Sequence, residues 1–291
     1  MLARAGSDFD IAELREDGLL LEDLRWSFIS IATLCQCVGV LVGATVWGGV
    51  VKRISGRGPP VSVGMKIWMV GGLGRYLPGK IFGVLGIIGL ARRAGVAAAN
   101  AGAAVGLASF LGIVGAALVG AFMYFELDWR IGPGRWPTFG LVLIPIALLY
   151  VPTIQARLLR LWYRLIRMNA PETAARLGML RWTGVTFASW VAHAGAFWLL
   201  GQGLGIGIPP LIAGPAFALA WLVGHASPLP AGVGVRELGL VGLLAGHANE
   251  GDIVALLIVA RVWSTLVELL VTLTLWLAVE SPKVDPQATD H

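Results

Sequence analysis

Apolar residues run along this chain in long blocks, without the alternation of strands or the once-per-turn recurrence of surface helices. Five blocks run from Trp26 to Val51, Ala97 to Phe125, Thr138 to Ile154, Trp182 to Leu204 and Ile253 to Val279. Each is close to or above the ~20 residues that a helical bilayer crossing needs. The third is interrupted by Pro145 and Pro152. Trp26, Trp129, Trp136, Trp162, Trp182 and Trp276 fall near block ends, where indole rings favour the headgroup layer.

Two further apolar stretches are broken in the middle. Segment A, Val61 to Arg93, breaks at Pro78 and Gly79. Segment B, Pro210 to Gly246, breaks across Ser227 to Gly234, which includes Pro230, Gly232 and Gly234. The arms are too short to cross a bilayer, and segment A as one helix would be roughly 50 Å long, more than the hydrocarbon core admits. The pattern predicts an all-α polytopic membrane protein with about five full spans and two re-entrant, broken-helix hairpins.

Charge sets the expected topology. If each hairpin enters and leaves on one side, Lys52, Arg53, Arg57, Arg92, Arg93 and the arginines from Arg157 to Arg181 share one face, the cytoplasmic one. Arm, break, arm, long span then occurs at 61–125 and again at 210–279, entered from opposite faces: an inverted repeat of the transporter kind. Residues 1–25 form a polar acidic segment, 26–280 one transmembrane domain and 281–291 a tail expected to be disordered. Within the basic linker 155–181, arginines recur every three or four residues from Arg157 to Arg167, opposite Leu, Trp and Ile. This is the pattern of an amphipathic helix on a membrane surface.

Composition agrees with this reading. The 291 residues are 57% hydrophobic and 13% charged, against about 25% charged in soluble domains. The net charge of +5 comes from residues flanking the spans, so it reads as topology and not as nucleic-acid binding. Cys35 and Cys37 lie in one apolar helix with no metal or disulfide spacing.

Between Leu24 and Phe125 there is no Asp or Glu, yet Lys66, Arg75, Lys80, Arg92 and Arg93 interrupt the apolar run. Cations inside such a stretch are costly and usually face a polar pathway. At break A, Arg75, Tyr76 and Lys80 flank Pro78 and Gly79; at break B, His225, Arg236 and Glu237 flank Pro230, Gly232 and Gly234. Cations beside helix starts suit a phosphate or phosphodiester headgroup. Arg261 and Glu268 lie seven residues apart on one face of the last span, and are expected to form an intramembrane ion pair, with each other or with hairpin residues. His193 reads as a packing hydrogen bond. No catalytic set, metal site or cofactor motif is visible, so the chain is expected not to be an enzyme.

Three runs occur in order: Gly74-Arg75-Tyr76-Leu77-Pro78-Gly79-Lys80, Leu90-Ala91-Arg92-Arg93-Ala94-Gly95-Val96, and Ser227-Pro228-Leu229-Pro230-Ala231-Gly232-Val233-Gly234-Val235-Arg236-Glu237. Over Leu24 to Glu280 the chain thereby resembles the flippase-like transmembrane family typified by the membrane domain of lysylphosphatidylglycerol synthase, the multiple-peptide-resistance factor. The resemblance implies two re-entrant hairpins in a helical bundle and movement of lipids or lipid-linked headgroups between leaflets. Ala231 stands where that family commonly has Gly, and the chain is expected to lack the family's usual additional first helix and the synthase's aminoacyl-transferase domain. Lysine transfer to lipid is therefore not expected.

The expected function is transport of an anionic phospholipid or polyprenyl-phosphate-linked lipid across an inner membrane, with lipid as the main partner. Two alternatives stay open: a membrane partner of a glycosyltransferase or lipid-modifying enzyme, and an intramembrane enzyme acting on lipid phosphate. A homo-oligomer is compatible with either.

Overall fold

The computed structural model describes residues 24–77, 81–123, 150–165, 167, 178–229 and 232–280. Among them every regular element is helical. The first half contains α1 (Trp26–Ser55), α2 (Val61–Gly72), a 3-10 turn (Leu73–Tyr76), α3 (Ile81–Arg93) and α4 (Ala98–Gly120). Then come α5 (Pro152–Leu165), α6 (Met179–Gly203), α7 (Pro210–Ala226), α8 (Val235–Leu244) and α9 (Glu250–Ala278). The chain is thus an all-α membrane protein, and α1, α4 and α9 are long and apolar enough to cross a bilayer. Segment A corresponds to α2 and α3, segment B to α7 and α8, and in each pair the two arms pack on one another.

At the centre, α1 lies along α6. Gly39 and Gly43 of α1 form a small-xxx-small pair that lets the two backbones approach. The Ser189 hydroxyl donates to the Gly39 carbonyl at 2.8 Å. Further along, the six-membered ring of Trp182 packs against Gly49, where a Cβ would fall 1.9 Å from a ring carbon. Trp182 is therefore a buried wedge between helices, not a headgroup anchor: a glycine opposite it leaves a slot that only a ring fills. The Trp263 indole N–H donates to the Thr33 hydroxyl at 3.0 Å, tying α9 to α1.

The helix packing maps onto itself when α1, α2, α3 and α4 are exchanged with α6, α7, α8 and α9. The pairs α1–α2, α2–α3, α3–α4 and α1–α4 have counterparts in α6–α7, α7–α8, α8–α9 and α6–α9. Helix α4 packs on α6 and α7 as α9 packs on α1 and α2, while α1–α6 is its own counterpart. One apolar core gathers Trp47, Ile54, Ile67, Leu111 and Met179 from the first-half helices and the start of α6. A second gathers Phe197, Phe217, Leu244 and Leu256 from α6 to α9.

Several boundaries differ from the sequence reading. Residues 138–149 of the expected third span lie outside the described residues. Pro152–Ile154, assigned to that span, form the first turn of α5, because proline is preorganised for a helix start and has no amide to leave unpaired there. Helix α6 is 25 residues long, but its Thr183, Thr186, Ser189 and His193 set it apart from the three helices that are both long and apolar enough to cross a bilayer. These polar groups are tolerated because α6 is packed by α1, α4 and α7.

Candidate functional site

Break A is built on glycine. The arms of the first hairpin touch backbone to backbone: a Cβ on Gly74 would lie 2.5 Å from the Gly83 nitrogen, and one on Gly71 2.5 Å from the Ile87 nitrogen. Gly86 faces the Gly71 carbonyl in the same way. The chain leaves the α-helix at Leu73, tightens into the 3-10 turn and becomes extended at Leu77. The turn puts Arg75 and Tyr76 at the tip, both exposed from the protein core. Pro78, Gly79 and Lys80 lie outside the described residues.

Break B follows the extended Ser227. The Ser227 hydroxyl accepts from the Leu229 amide at 3.1 Å, closing a local turn. Gly232 has φ 66° and sits on Gly224, where a Cβ would meet backbone at 2.7 Å. Gly234, at φ 83°, precedes the first turn of α8. The Glu237 carboxylate accepts from the Gly234 amide at 2.7 Å, so it occupies the helix start itself. Pro230 lies outside the described residues.

Helix α9 ties the two breaks together. Arg75 donates to one oxygen of Glu268, and the Tyr76 hydroxyl donates to the other at 3.0 Å. Two turns earlier, Arg261 pairs with Glu237 at 3.5 Å. Of the two arrangements expected for Arg261 and Glu268, pairing with hairpin residues is the one found. At seven residues apart they stand about 10 Å from each other along the axis, and each reaches sideways to a different hairpin. Arg75 is assigned to break A and Glu237 to break B, so each hairpin tip is fastened to α9 by one ion pair.

Arg236 is placed differently. Its guanidinium lies over the Phe217 ring at 4.5 Å, which is favourable for a cation. Among the described residues no carboxylate or carbonyl accepts a hydrogen bond from it. Tyr76 of the other hairpin lies within electrostatic reach, as do Glu237 and Arg261. His193 of α6 is also within reach of Arg236, and its Nδ1 hydrogen-bonds the Gln36 side-chain oxygen of α1 at 2.9 Å. His225 stacks on Trp221, rings 4.6 Å apart, and Trp221 packs edge-on against Trp190 at 4.7 Å.

Sequence reasoning missed Gln36, Phe217, Trp221 and Trp190 as surroundings of this site. Gln36, a lone amide in an apolar run, was the one available signal. The aromatic residues resemble any other core positions in a sequence. Among the described residues no group of three or more His, Cys, Asp or Glu side chains gathers in a way that could hold a metal ion.

Two broken hairpins, glycine-packed and charged at their tips, meet the same apolar helix. A family model described as the lysylphosphatidylglycerol synthase TM region matches residues 2–272. The chain belongs to that family. Nothing matches it among curated proteins, and nothing among solved structures. Membership of the lysylphosphatidylglycerol synthase membrane family, with the three apolar helices, gives a membrane protein with a lipid-related role. In this member of the family, three cations, Arg75, Arg236 and Arg261, share the site with two carboxylates, Glu237 and Glu268, among the described residues. Each carboxylate pairs with one arginine, Glu268 with Arg75 and Glu237 with Arg261, while Arg236 lies over the Phe217 ring.

Proposed function

We propose that this protein moves an anionic lipid, a phospholipid or a polyprenyl-phosphate-linked lipid, between leaflets without changing it chemically. The headgroup phosphate docks between the hairpin tips and the acyl or prenyl chains stay in the bilayer. One observation carries this reading: Arg236 has no hydrogen-bond acceptor among the described residues, whereas Arg75 and Arg261 each have a carboxylate. A guanidinium at membrane depth is costly unless matched, and it grips a phosphate through two parallel hydrogen bonds.

The neighbouring groups have distinct tasks in this scheme. Glu237 holds the start of α8 and pairs with Arg261, which leaves Arg236 on the Phe217 ring. Tyr76 and Arg75 present the facing hairpin, with Lys80 beside them in the chain. His225, on its Trp221 platform, lines the approach. The two halves are inverted copies that open alternately to each face, in an inner membrane with the arginine-rich linker on the cytoplasmic side.

The test is translocation in vesicles of purified protein. Fluorescent phosphatidylglycerol in the inner leaflet should become accessible to a membrane-impermeant quencher, and labelled phosphatidylcholine should do so far more slowly. Equal rates for both lipids, or rates equal to protein-free vesicles, contradict the proposal.

A further inference from the structure

Helix α5 divides into three faces. Leu159 and Tyr163 are buried against the bundle. The Tyr163 hydroxyl donates to the Asn100 side-chain oxygen near the start of α4, and the Trp162 indole N–H donates to the Ala99 carbonyl at 3.4 Å. Burial pushes the Tyr163 phenol above its ordinary range, which keeps it a donor. A second face carries Leu158, Leu161 and Leu165, all exposed, Leu165 at 72%. At 100° per residue these leucines project about 150° from the buried seam. The third face carries Arg157, Arg160 and Arg164, all exposed. With Leu161 these arginines line a concavity of about 330 Å³.

A helix wholly in water would not expose a row of leucines, and a spanning helix would not expose a row of arginines. Three faces at these angles fit a helix lying in the interfacial plane: one side on the protein, one in the acyl layer, one among headgroups. Among the described residues the concavity is bounded by three guanidinium-bearing side chains and no carboxylate. Arginine suits phosphate through paired, parallel donors.

We propose that the arginine face of α5 is a binding surface for the phosphates of anionic lipids in the leaflet it lies on, separate from the site between the hairpin tips. The leucine face favours a membrane over a soluble acidic protein, because it requires an apolar phase alongside the phosphates. Through Tyr163 and Trp162 the bound leaflet is joined to the start of α4, and the short link 94–97 joins α4 to the first hairpin. Anionic lipid therefore holds α5 and, through it, the base of that hairpin.

Hydrogen–deuterium exchange of the full chain in nanodiscs tests this locally. Nanodiscs containing phosphatidylglycerol should protect the α5 amides more than phosphatidylcholine nanodiscs do, and high salt should reduce the difference. Substituting Arg157→Gln, Arg160→Gln and Arg164→Gln together should remove it, lowering the preference of α5 for the anionic surface by roughly a hundredfold. The three Arg→Lys substitutions should keep most of it. Because all three side chains are exposed, the variants should fold, and unchanged exchange in α1 and α6 checks this. Equal protection in the two lipids, or an unchanged difference in the glutamine variant, overturns the proposal. Protection in phosphatidylcholine nanodiscs on adding inorganic phosphate alone would assign the concavity to a soluble anion. Protection seen in native membranes but absent from anionic nanodiscs that hold no other protein would assign it to a protein partner. Either result overturns the lipid assignment.

Discussion

Arg75 and Glu268, 193 positions apart in the chain, form an ion pair that fastens one hairpin tip to the middle of the last helix. Tyr76 shares the same carboxylate. The counterpart is Arg261 with Glu237, which fastens the other hairpin two turns earlier on the same helix. Helix α9 thus sets the spacing of the two tips, and the space between them follows from how far apart Arg261 and Glu268 stand.

Glu268→Ala removes the acceptor of two hydrogen bonds, one of them charge-assisted. The cost should be about 2 kcal/mol, below that of a fully buried pair because the Arg75 side chain is 49% exposed. Tyr76→Phe should cost about 1 kcal/mol. Exchanging the charges, Arg75→Glu with Glu268→Arg, should recover part of the loss. Thermal unfolding in detergent, followed by tryptophan fluorescence, measures all three, and equal stability of Glu268→Ala and wild type would contradict the tethering role.

The first hairpin offers a matched pair of substitutions. Gly74→Ala forces a methyl against the Phe82 and Gly83 backbone, 2.5 Å away. Backbone cannot yield as a side-chain end can, so a loss of about 3 kcal/mol is expected. Gly72→Ala, two residues away, meets nothing within 4 Å and lies at a helix end, so it should be neutral or stabilise by about 0.5 kcal/mol. The same unfolding assay separates them, and similar midpoints for the two variants would show that the arms do not touch as described.

The breaks and the short arms were legible because membrane length is a hard limit: Pro78, Gly79, Pro230, Gly232 and Gly234 interrupt runs that cannot otherwise fit. The five charged positions of α9 and the hairpins, Arg75, Arg236, Glu237, Arg261 and Glu268, were legible for a similar reason, since charge is rare in membrane helices. The pairing of Arg261 and Glu268 was legible only as two alternatives, with each other or with hairpin residues. Arg261 and Glu268 share a helical face, which suggests one pair, but both side chains are long enough to reach a neighbouring helix, and helix proximity is a tertiary fact. The meeting of α1 and α6 was equally hidden. Gly39 and Gly43 mark a close approach but not its partner, and Trp182 looked like an interfacial anchor because a wedge and an anchor are the same residue in a sequence. His193 was read as a packing group; its Gln36 partner became visible only with α1 and α6 side by side.

Gly232 and Gly234 both have positive φ, yet they should respond differently to alanine. At Gly234, with φ 83° and nothing within 4 Å of a Cβ, the cost is backbone strain alone, about 1–2 kcal/mol. At Gly232 the same strain is joined by a clash with the Gly224 backbone at 2.7 Å, so Gly232→Ala should be the more damaging by about 2 kcal/mol. Unfolding midpoints of the two variants check the order; a less stable Gly234→Ala protein would mean that break B is not packed against Gly224.

The central claim is that Arg236 receives the phosphate of a lipid headgroup, and translocation of labelled phosphatidylglycerol by Arg236→Gln protein in vesicles tests it most directly. Loss of a charge-assisted hydrogen bond of about 2 kcal/mol corresponds to roughly a thirtyfold slower rate. Arg236→Lys should fall between the two, because it keeps the charge but not the parallel donors. The account predicts this order with unfolding temperatures close to that of wild type; a folded Arg236→Gln protein that moves the anionic lipid as fast as wild type would contradict it.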